Sequence, residues 1–470
     1  MSSLPQENIP PTGEPSPAAS VAAAIIPESE HPIREQQLDR EALKVLYRLR
    51  DAGFKGYLVG GGVRDLFLGK KPKDFDISTD ARPGQLRRLF RNSRTIGRRF
   101  RLVQVFFRGN KIIEVSTLRS RSEYEEDGEG ELLASNNTFG TLEEDAFRRD
   151  LTINSLFYEI EGRTVIDYVG GVEDLNRGII RMVGDPDQRF SHDPARMLRV
   201  VRHAARTDFT IDPATNEALQ RHSSELMLCP PSRLRDEILK DLRSGASKPW
   251  AEQCMATPLW LTLFPFYQDY YQEGGKDETS QALLRILGEI DRVYQSGSEE
   301  QPVHVDEHFL FAALLLPWAA THFKLPGEER LRGPLFHQCF AALREGIGEQ
   351  FGMPFNIPRM AKERISTLLI NLSTLHHAGN GSAYPKWLKK KSYYQECKRL
   401  YDLYQLSQGK DTAGIAAEDF TLPEPKQGEV EVISAVQGPS SSPSRGRGGG
   451  NPAFSSHKGG VFGLRLRRHS

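Results

Sequence analysis

The chain has 470 residues, with 62 Lys plus Arg against 62 Asp plus Glu and only four cysteines. Its length is ample for several domains, and a net charge of zero excludes any inference about partners from mean charge, leaving only the distribution of charge to read. Cys229, Cys254, Cys339 and Cys397 stand apart, without Cys-x-x-Cys or Cys/His spacing, which argues against a zinc site or a disulfide framework and fits a reducing, cytoplasmic setting.

Residues 1–36 are rich in Pro, Ser, Ala and Glu, the composition of a disordered segment, and no basic region precedes the Ala-rich patch as a signal peptide requires. From about 37 to 56, Leu38, Ala42, Val45, Leu46 and Leu49 recur at helical spacing among charges. Tyr57, Leu58 and Val59 then read as a buried strand. Gly60, Gly61 and Gly62 form a turn, and a helix is expected from about Val63. Such a helix would aim free amides at an anion such as a triphosphate, and Arg64 would add a guanidinium fork for its oxygens. The same triple glycine is also an ordinary tight turn, and it fits neither the P-loop nor the Rossmann fingerprint.

In Asp74-Phe75-Asp76-Ile77, strand alternation would set both carboxylates on one face and Phe75 and Ile77 in a core. Two hard oxygen ligands side by side suit Mg²⁺. Residues 85–90 read as a short helix, followed by strands over 102–107 and 112–117. Glu114 interrupts the second of these strands. If it neighbours the first pair, three carboxylates could hold two ions roughly 3.5–4 Å apart. Alone, each of these acids reads as a solvated strand residue. Charge is sorted into blocks here: residues 82–108 hold nine arginines and no acid, whereas 123–145 are crowded with Asp and Glu. Residues 123–137 read as a loop. A further strand over 163–168 completes an α+β region.

Arg148-Arg149-Asp150 leads into apolar Leu151, Ile153 and Leu156, which sets the triplet at the edge of packed structure, and Asn154 either orients a sugar or caps a turn. Further on, Arg196, Arg199, Arg202 and Arg206 recur at helical spacing opposite Val200, Val201, Ala204 and Ala205. Asp193-Pro194 matches an N-cap followed by proline at the first helical position. From 250 to 410 the pattern is helical. The longest apolar run, 309–320, is too short to span a bilayer, so no membrane is expected. Lys386, Lys389, Lys390, Lys391 and Lys398 mix with Trp387, Tyr393 and Tyr394, either a single-stranded RNA surface or a solvated helix face with core aromatics. From Gln437 on, six Arg/Lys and no acid lie on a Gly/Ser background, either an RNA tether or a plain disordered terminus.

GGGVRD, the Asp74/Asp76 pair, RRDLTINSL at 148–156 and DPARMLRVVRHAA at 193–205 resemble the class II nucleotidyltransferases, which comprise bacterial poly(A) polymerases and tRNA CCA-adding enzymes. The resemblance covers residues about 40–250. It implies a mixed or antiparallel sheet with helices at 37–170 and a helical neck at 171–250 that binds base and RNA; the helical region at 251–410 is similar in plan to the polymerase's RNA-binding body, and composition makes 411–470 a disordered tail. It implies two Mg²⁺ on Asp74 and Asp76, completed by Glu114. Gly61, Gly62 and Arg64 would hold triphosphate, Arg149 and Asp150 would help grip the nucleotide, and Asp193 and Arg196 would address the base; Asn154 and Arg199 are read as further nucleotide-binding residues. His192 stands where many relatives carry an acid. IGRRFRLVQVFF at 96–107, although Gln104 replaces a usual His, and PPSRLRDEILK at 230–240 are similar to the polymerase branch. ATP and single-stranded RNA 3′ ends are then the expected partners. A tRNA-repair enzyme taking CTP or stopping after a few additions is the alternative, and a non-catalytic RNA-binding module a further one.

Overall fold

The structure, a computed structural model, describes residues 22–97, 101–120, 139–272, 277–298, 301–378, 384–410 and 414–420. The expected loop at 123–137 and the basic segment from Gln437 lie outside these residues.

The first half is built on a mixed eight-stranded sheet of order β1-β8-β7-β2-β3-β6-β5-β4, and the second half is helical. The strands are β1 (Ala24–Ile26), β2 (Gly56–Val59), β3 (Asp76–Thr79), β4 (Ser93–Ile96), β5 (Leu102–Phe106), β6 (Ile112–Thr117), β7 (Leu156–Glu159) and β8 (Thr164–Asp167). All adjacent pairs are antiparallel except β3 with β6. Helix α1 (Arg40–Asp51) starts where Asp39 accepts from the amides of Glu41 and Ala42, and it buries Ala42, Val45, Leu46 and Leu49. That face joins Leu58, Ile77, Val103, Ile113 and Val115 in the main core. The opposite face of the sheet carries a smaller cluster of Tyr57, Val59, Leu118, Ala146 and Phe157. Strand β2 is therefore buried on both sides, which is why its run is continuous rather than alternating.

Several expectations need correction. Residues 22–36 are ordered: β1 pairs with β8, and Ile33 and His31 are buried, because a three-residue edge strand gives no periodic signal. Helix α2 spans Gly61–Phe67, so it starts at the second glycine and not at Val63. Asp74 lies in the loop before β3 and not on the strand, although the alternation persists, with Asp74 and Asp76 exposed and Phe75 and Ile77 buried. Asp193 does not cap the following helix. It ends α6 (Pro186–His192), while α7 (Ala195–Thr207) has Pro194 at its N-cap. The helical region also holds a two-stranded parallel pair, β9 (Ile179–Ile180) with β10 (Thr210–Ile211).

The later helices include α9 (Pro231–Leu242), α12 (Glu278–Ser296), α13 (Glu307–His322), α15 (Arg359–His376) and α17 (Tyr394–Ser407). Helix α13 is buried from Phe309 to Ala319 on every side, as a central helix must be. Residues 414–420, expected in the tail, pack back on this bundle: Ile415 and Phe420 are buried and Arg399 lies 4.7 Å over the Phe420 ring. Among the described residues no helix is long and apolar enough to cross a membrane.

Candidate active site

A cavity of about 760 Å³ opens between the sheet and α6, α7 and α9. Its floor comes from a single row across the sheet. Parallel pairing sets Asp76 of β3 opposite Glu114 of β6, and antiparallel pairing sets Glu114 opposite Gln104 of β5. Residues in register point to one side of a sheet, and Val59, opposite Asp76 on β2, lines the same cavity. The Gln104 amide donates to Glu114 Oε1 at 3.0 Å. Asp76 is exposed to solvent and lines this concavity. The protein packed around its carboxyl, together with the negative charges of Glu114 and Asp74, pushes it up to about 6, against the pull of Arg149. Asp74 does not line the cavity, and among the described residues no three His, Cys, Asp or Glu side chains converge as one ion-binding group. The expected convergence of three carboxylates is thus absent from this conformation. Two carboxylates side by side, Asp76 and Glu114, do fit a divalent ion that completes its shell with water and substrate oxygens.

Gly60 and Gly61 line the cavity beside Asp76. Gly60 has φ +68, a conformation side chains rarely adopt, so glycine is needed at this position for the chain to pass from strand to helix. Gly62 is buried instead. A Cβ there would stand 3.2 Å from the Asp74 carbonyl oxygen, so this glycine lets α2 lie against the Asp74 loop. Arg64 also departs from expectation. Its guanidinium is buried, pairs with Asp65 at 2.7 Å and donates to Asn154 Oδ1 at 2.8 Å; Arg64 does not line the cavity, whereas Asn154 does. Beyond Asn154 lies His203 of α7, with Nδ1 3.1 Å from Arg64 and Nε2 3.2 Å from the Asn154 amide. Burial and the neighbouring Arg64 charge hold that imidazole well below its usual pKa.

The wall is arginine-rich and internally paired. Arg149 bonds to the fully buried Asp145 at 2.8 Å and to Ser78 Oγ at 3.3 Å, and lies 5.1 Å over the Phe157 ring. Asp145 also holds Arg148 at 2.6 Å. Burial alone would raise its pKa, but the two guanidinium groups outweigh this and keep it ionised. Asp150 receives Arg196 at 2.8 Å and Arg199 in a closer contact, and these charges likewise overcome burial and lower its pKa. Asp193 pairs with Arg233 of α9 at 2.7 Å, while its other oxygen, Oδ1, is buried and has no hydrogen-bond partner among the described residues. The arginine row of α7 therefore divides. Arg196 and Arg199 face the cavity, whereas Arg202 is buried against Glu237 at 2.7 Å and against Asp241.

Two family descriptions match: "Poly A polymerase head domain" over residues 56–181 and "Probable RNA and SrmB- binding site of polymerase A" over residues 208–271. The chain is 42% identical over 352 residues to Poly(A) polymerase I of Salmonella typhi, covering 73% of each chain. The chain belongs to the poly(A) polymerase family. Its likeness to the CCA-adding enzyme of Bacillus subtilis, 37% over 262 residues, covers 53% of this chain and 64% of that one. Among solved structures, a tRNA nucleotidyltransferase complexed with a primer tRNA and an incoming ATP analog superposes with a TM-score of 0.52 at 23% identity, covering 77% of this chain and 93% of that one, which is a likeness of fold. Enzymes of such families use divalent metal ions.

In this poly(A) polymerase relative, sequence reasoning overlooked Asp145, Arg233 and His203. Asp145 had a signal, since it stands three and four residues before Arg148 and Arg149, the spacing at which helical side chains meet. His203 likewise follows Arg199 by one helical turn. Arg233 had none, because its meeting with Asp193 joins segments 40 residues apart.

Proposed function

We propose that this protein transfers AMP from ATP to RNA 3′ ends without a template, acting as a polynucleotide adenylyltransferase. The observation that carries this reading is the run of 42% identity to a poly(A) polymerase through 352 residues, well past the nucleotidyltransferase region. Sequence likeness to the CCA-adding enzyme of Bacillus subtilis covers less of the chain.

In the reaction the RNA 3′ oxygen bonds to the α-phosphorus of ATP while the bond to pyrophosphate breaks. We assign the floor carboxylates Asp76 and Glu114, with Asp74 entering from its loop, to holding two Mg²⁺, which when bound would neutralise phosphate charge and lower the pKa of the attacking hydroxyl. The triphosphate would lie along Gly60 and Gly61, whose missing side chains leave room for it, with Arg149 toward its oxygens. Asp193 Oδ1, a buried acceptor without a partner, suits the exocyclic amine of the base. Arg196 and Arg199, pinned by Asp150, would complete the base pocket, so that protein and not a template selects the nucleotide. Arg64 acts from behind, fixing the glycine turn to Asn154 and to His203 of α7, and Asn154 itself would face the nucleotide. The exposed lysines around Trp387 are a candidate RNA surface. A cytoplasmic location fits the four unpaired cysteines.

Primer extension tests this reading. A short unstructured RNA and a tRNA lacking its 3′ end are each given ATP or CTP with Mg²⁺. Long heterogeneous A tails on the generic RNA are expected. Addition confined to tRNA, or use of CTP, would transfer the assignment to tRNA repair.

A further inference from the structure

The arginine block at 82–108 plays no part in the site above. All of its arginines except Arg98 and Arg99 fall among the described residues; each of these is exposed, and none forms an ion pair with another described residue. So dense a set of like charges opposes folding by self-repulsion, and a polyanion offsets that repulsion. The block is also shaped. A second cavity, of about 430 Å³, is lined by Arg82, Gln85, Arg88, Arg101 and Phe139. Phe139 is 42% exposed, and the Arg82 guanidinium lies 5.0 Å over its ring.

This cavity adjoins the catalytic one through two short pieces of backbone. Arg101 precedes Leu102, which lines the catalytic cavity, and Phe139 is bridged to Arg119, which lines it too. A chain whose end lies at Asp76 and Glu114 therefore has an arginine-lined depression immediately beside it. We propose that this depression binds the RNA strand a few nucleotides upstream of its 3′ end, with phosphates on Arg82, Arg88 and Arg101 and a base stacked on Phe139. Planar guanidinium forks match phosphate oxygens, and an exposed ring takes any base, the combination that suits single strands without sequence preference. An acidic protein would use the charge but leave the ring unexplained. The inference rests on the reaction proposed above and adds to it a track along the sheet region, outside the matched RNA-binding segment at 208–271.

The test compares wild type with R82A/R88A/R101A in the full chain. Fluorescence anisotropy of labelled oligo(A) of 15 nucleotides gives Kd across a salt series, and kinetics are run with that RNA and with a trinucleotide primer. The triple variant is expected to bind the 15-mer at least tenfold more weakly. Its salt slope should flatten by about 2, since each lost phosphate contact on a single strand removes roughly 0.7. KM for ATP and turnover on the trinucleotide should stay at wild-type values. A triple Lys variant keeps the slope, and Phe139→Ala weakens binding without changing it. Unchanged affinity and slope in the triple Ala variant overturn the proposal, as does equal displacement of the RNA by poly-glutamate, which would mark an acidic-protein surface. Wild type that fails to use ATP sinks the proposed reaction while the anisotropy still reports on the track.

Discussion

Asp76 and Glu114 lie side by side across the one parallel pair that the described residues form in the eight-stranded sheet. Each has its own antiparallel neighbour on the far side, Val59 and Gln104, so the two acids stand between an apolar and an amide-bearing side chain. Both acids belong to strands whose intervening residues, Ile77, Ile113 and Val115, are buried. Sliding either strand by one residue would bury a charge, so the core fixes the register of the site.

Replacing Asp76 by Asn keeps the shape and removes the charge. Transfer is expected to fall by about a thousandfold, the scale of losing a group that stabilises developing charge, with an unchanged far-UV spectrum. Glu114→Gln should behave alike. Turnover near wild type in either variant would remove that carboxylate from the chemistry.

The crowding at Asp76 predicts a pH effect of definite sign. Its carboxyl is pushed up to about 6, above the roughly 3.9 of an unfolded aspartate. Its contribution to stability is therefore complete below about pH 4 and is lost as pH rises through 6. In metal-free protein, Asp76→Asn should raise Tm relative to wild type at pH 8, and the gain should shrink at pH 5. Mg²⁺ should raise the Tm of wild type at pH 8 more than that of the variant. A Tm difference independent of pH would contradict the assigned crowding.

Gln104 holds one oxygen of Glu114. Gln104→Leu leaves the strand intact and releases that carboxylate. Activity should drop by about tenfold, the low end for loss of a group that orients a metal ligand, with KM for ATP nearly constant. A change in KM alone would place Gln104 in nucleotide binding instead.

Asp150 ties Arg196 and Arg199 together. Asp150→Ala leaves two guanidinium groups without their shared partner. Stability should fall by about 2 kcal/mol, less than the roughly 3–5 of a fully buried pair, because a fifth of the Asp150 side chain faces water. KM for ATP should rise as the arginines splay, measured alongside urea unfolding. Intact stability would show that the pair contributes nothing to the fold.

Gly62→Ala probes packing beside the chemistry. The added methyl would meet the Asp74 carbonyl at 3.2 Å and displace the loop. Activity should fall more than stability, since the contact is with the backbone of Asp74, whose own side chain is exposed and packs no core. Wild-type kinetics would show that the loop position is not set by this contact.

The sequence alone determined the strands and the helix whose residues alternate or recur cleanly: β5, β6 and α1 stand close to their expected bounds because burial on one face imposes a period on the residues themselves. The alternation around Asp76 and the triplet before Leu151 were legible for the same reason. The sequence misled on β1 and on residues 414–420, both expected to be disordered, and on the start of α2, expected at Val63 and found at Gly61, since three residues carry no period and glycine permits several backbones. Tertiary structure alone decided the partners. That Arg64 turns to Asn154 and His203, that Asp193 meets Arg233 as well as the nearby Arg196, and that Asp74 stands back from the cavity all depend on contacts between segments far apart in the chain. Local pattern records which residues are buried or charged, but which charge meets which is fixed only when the sheet and the helices close around one cavity.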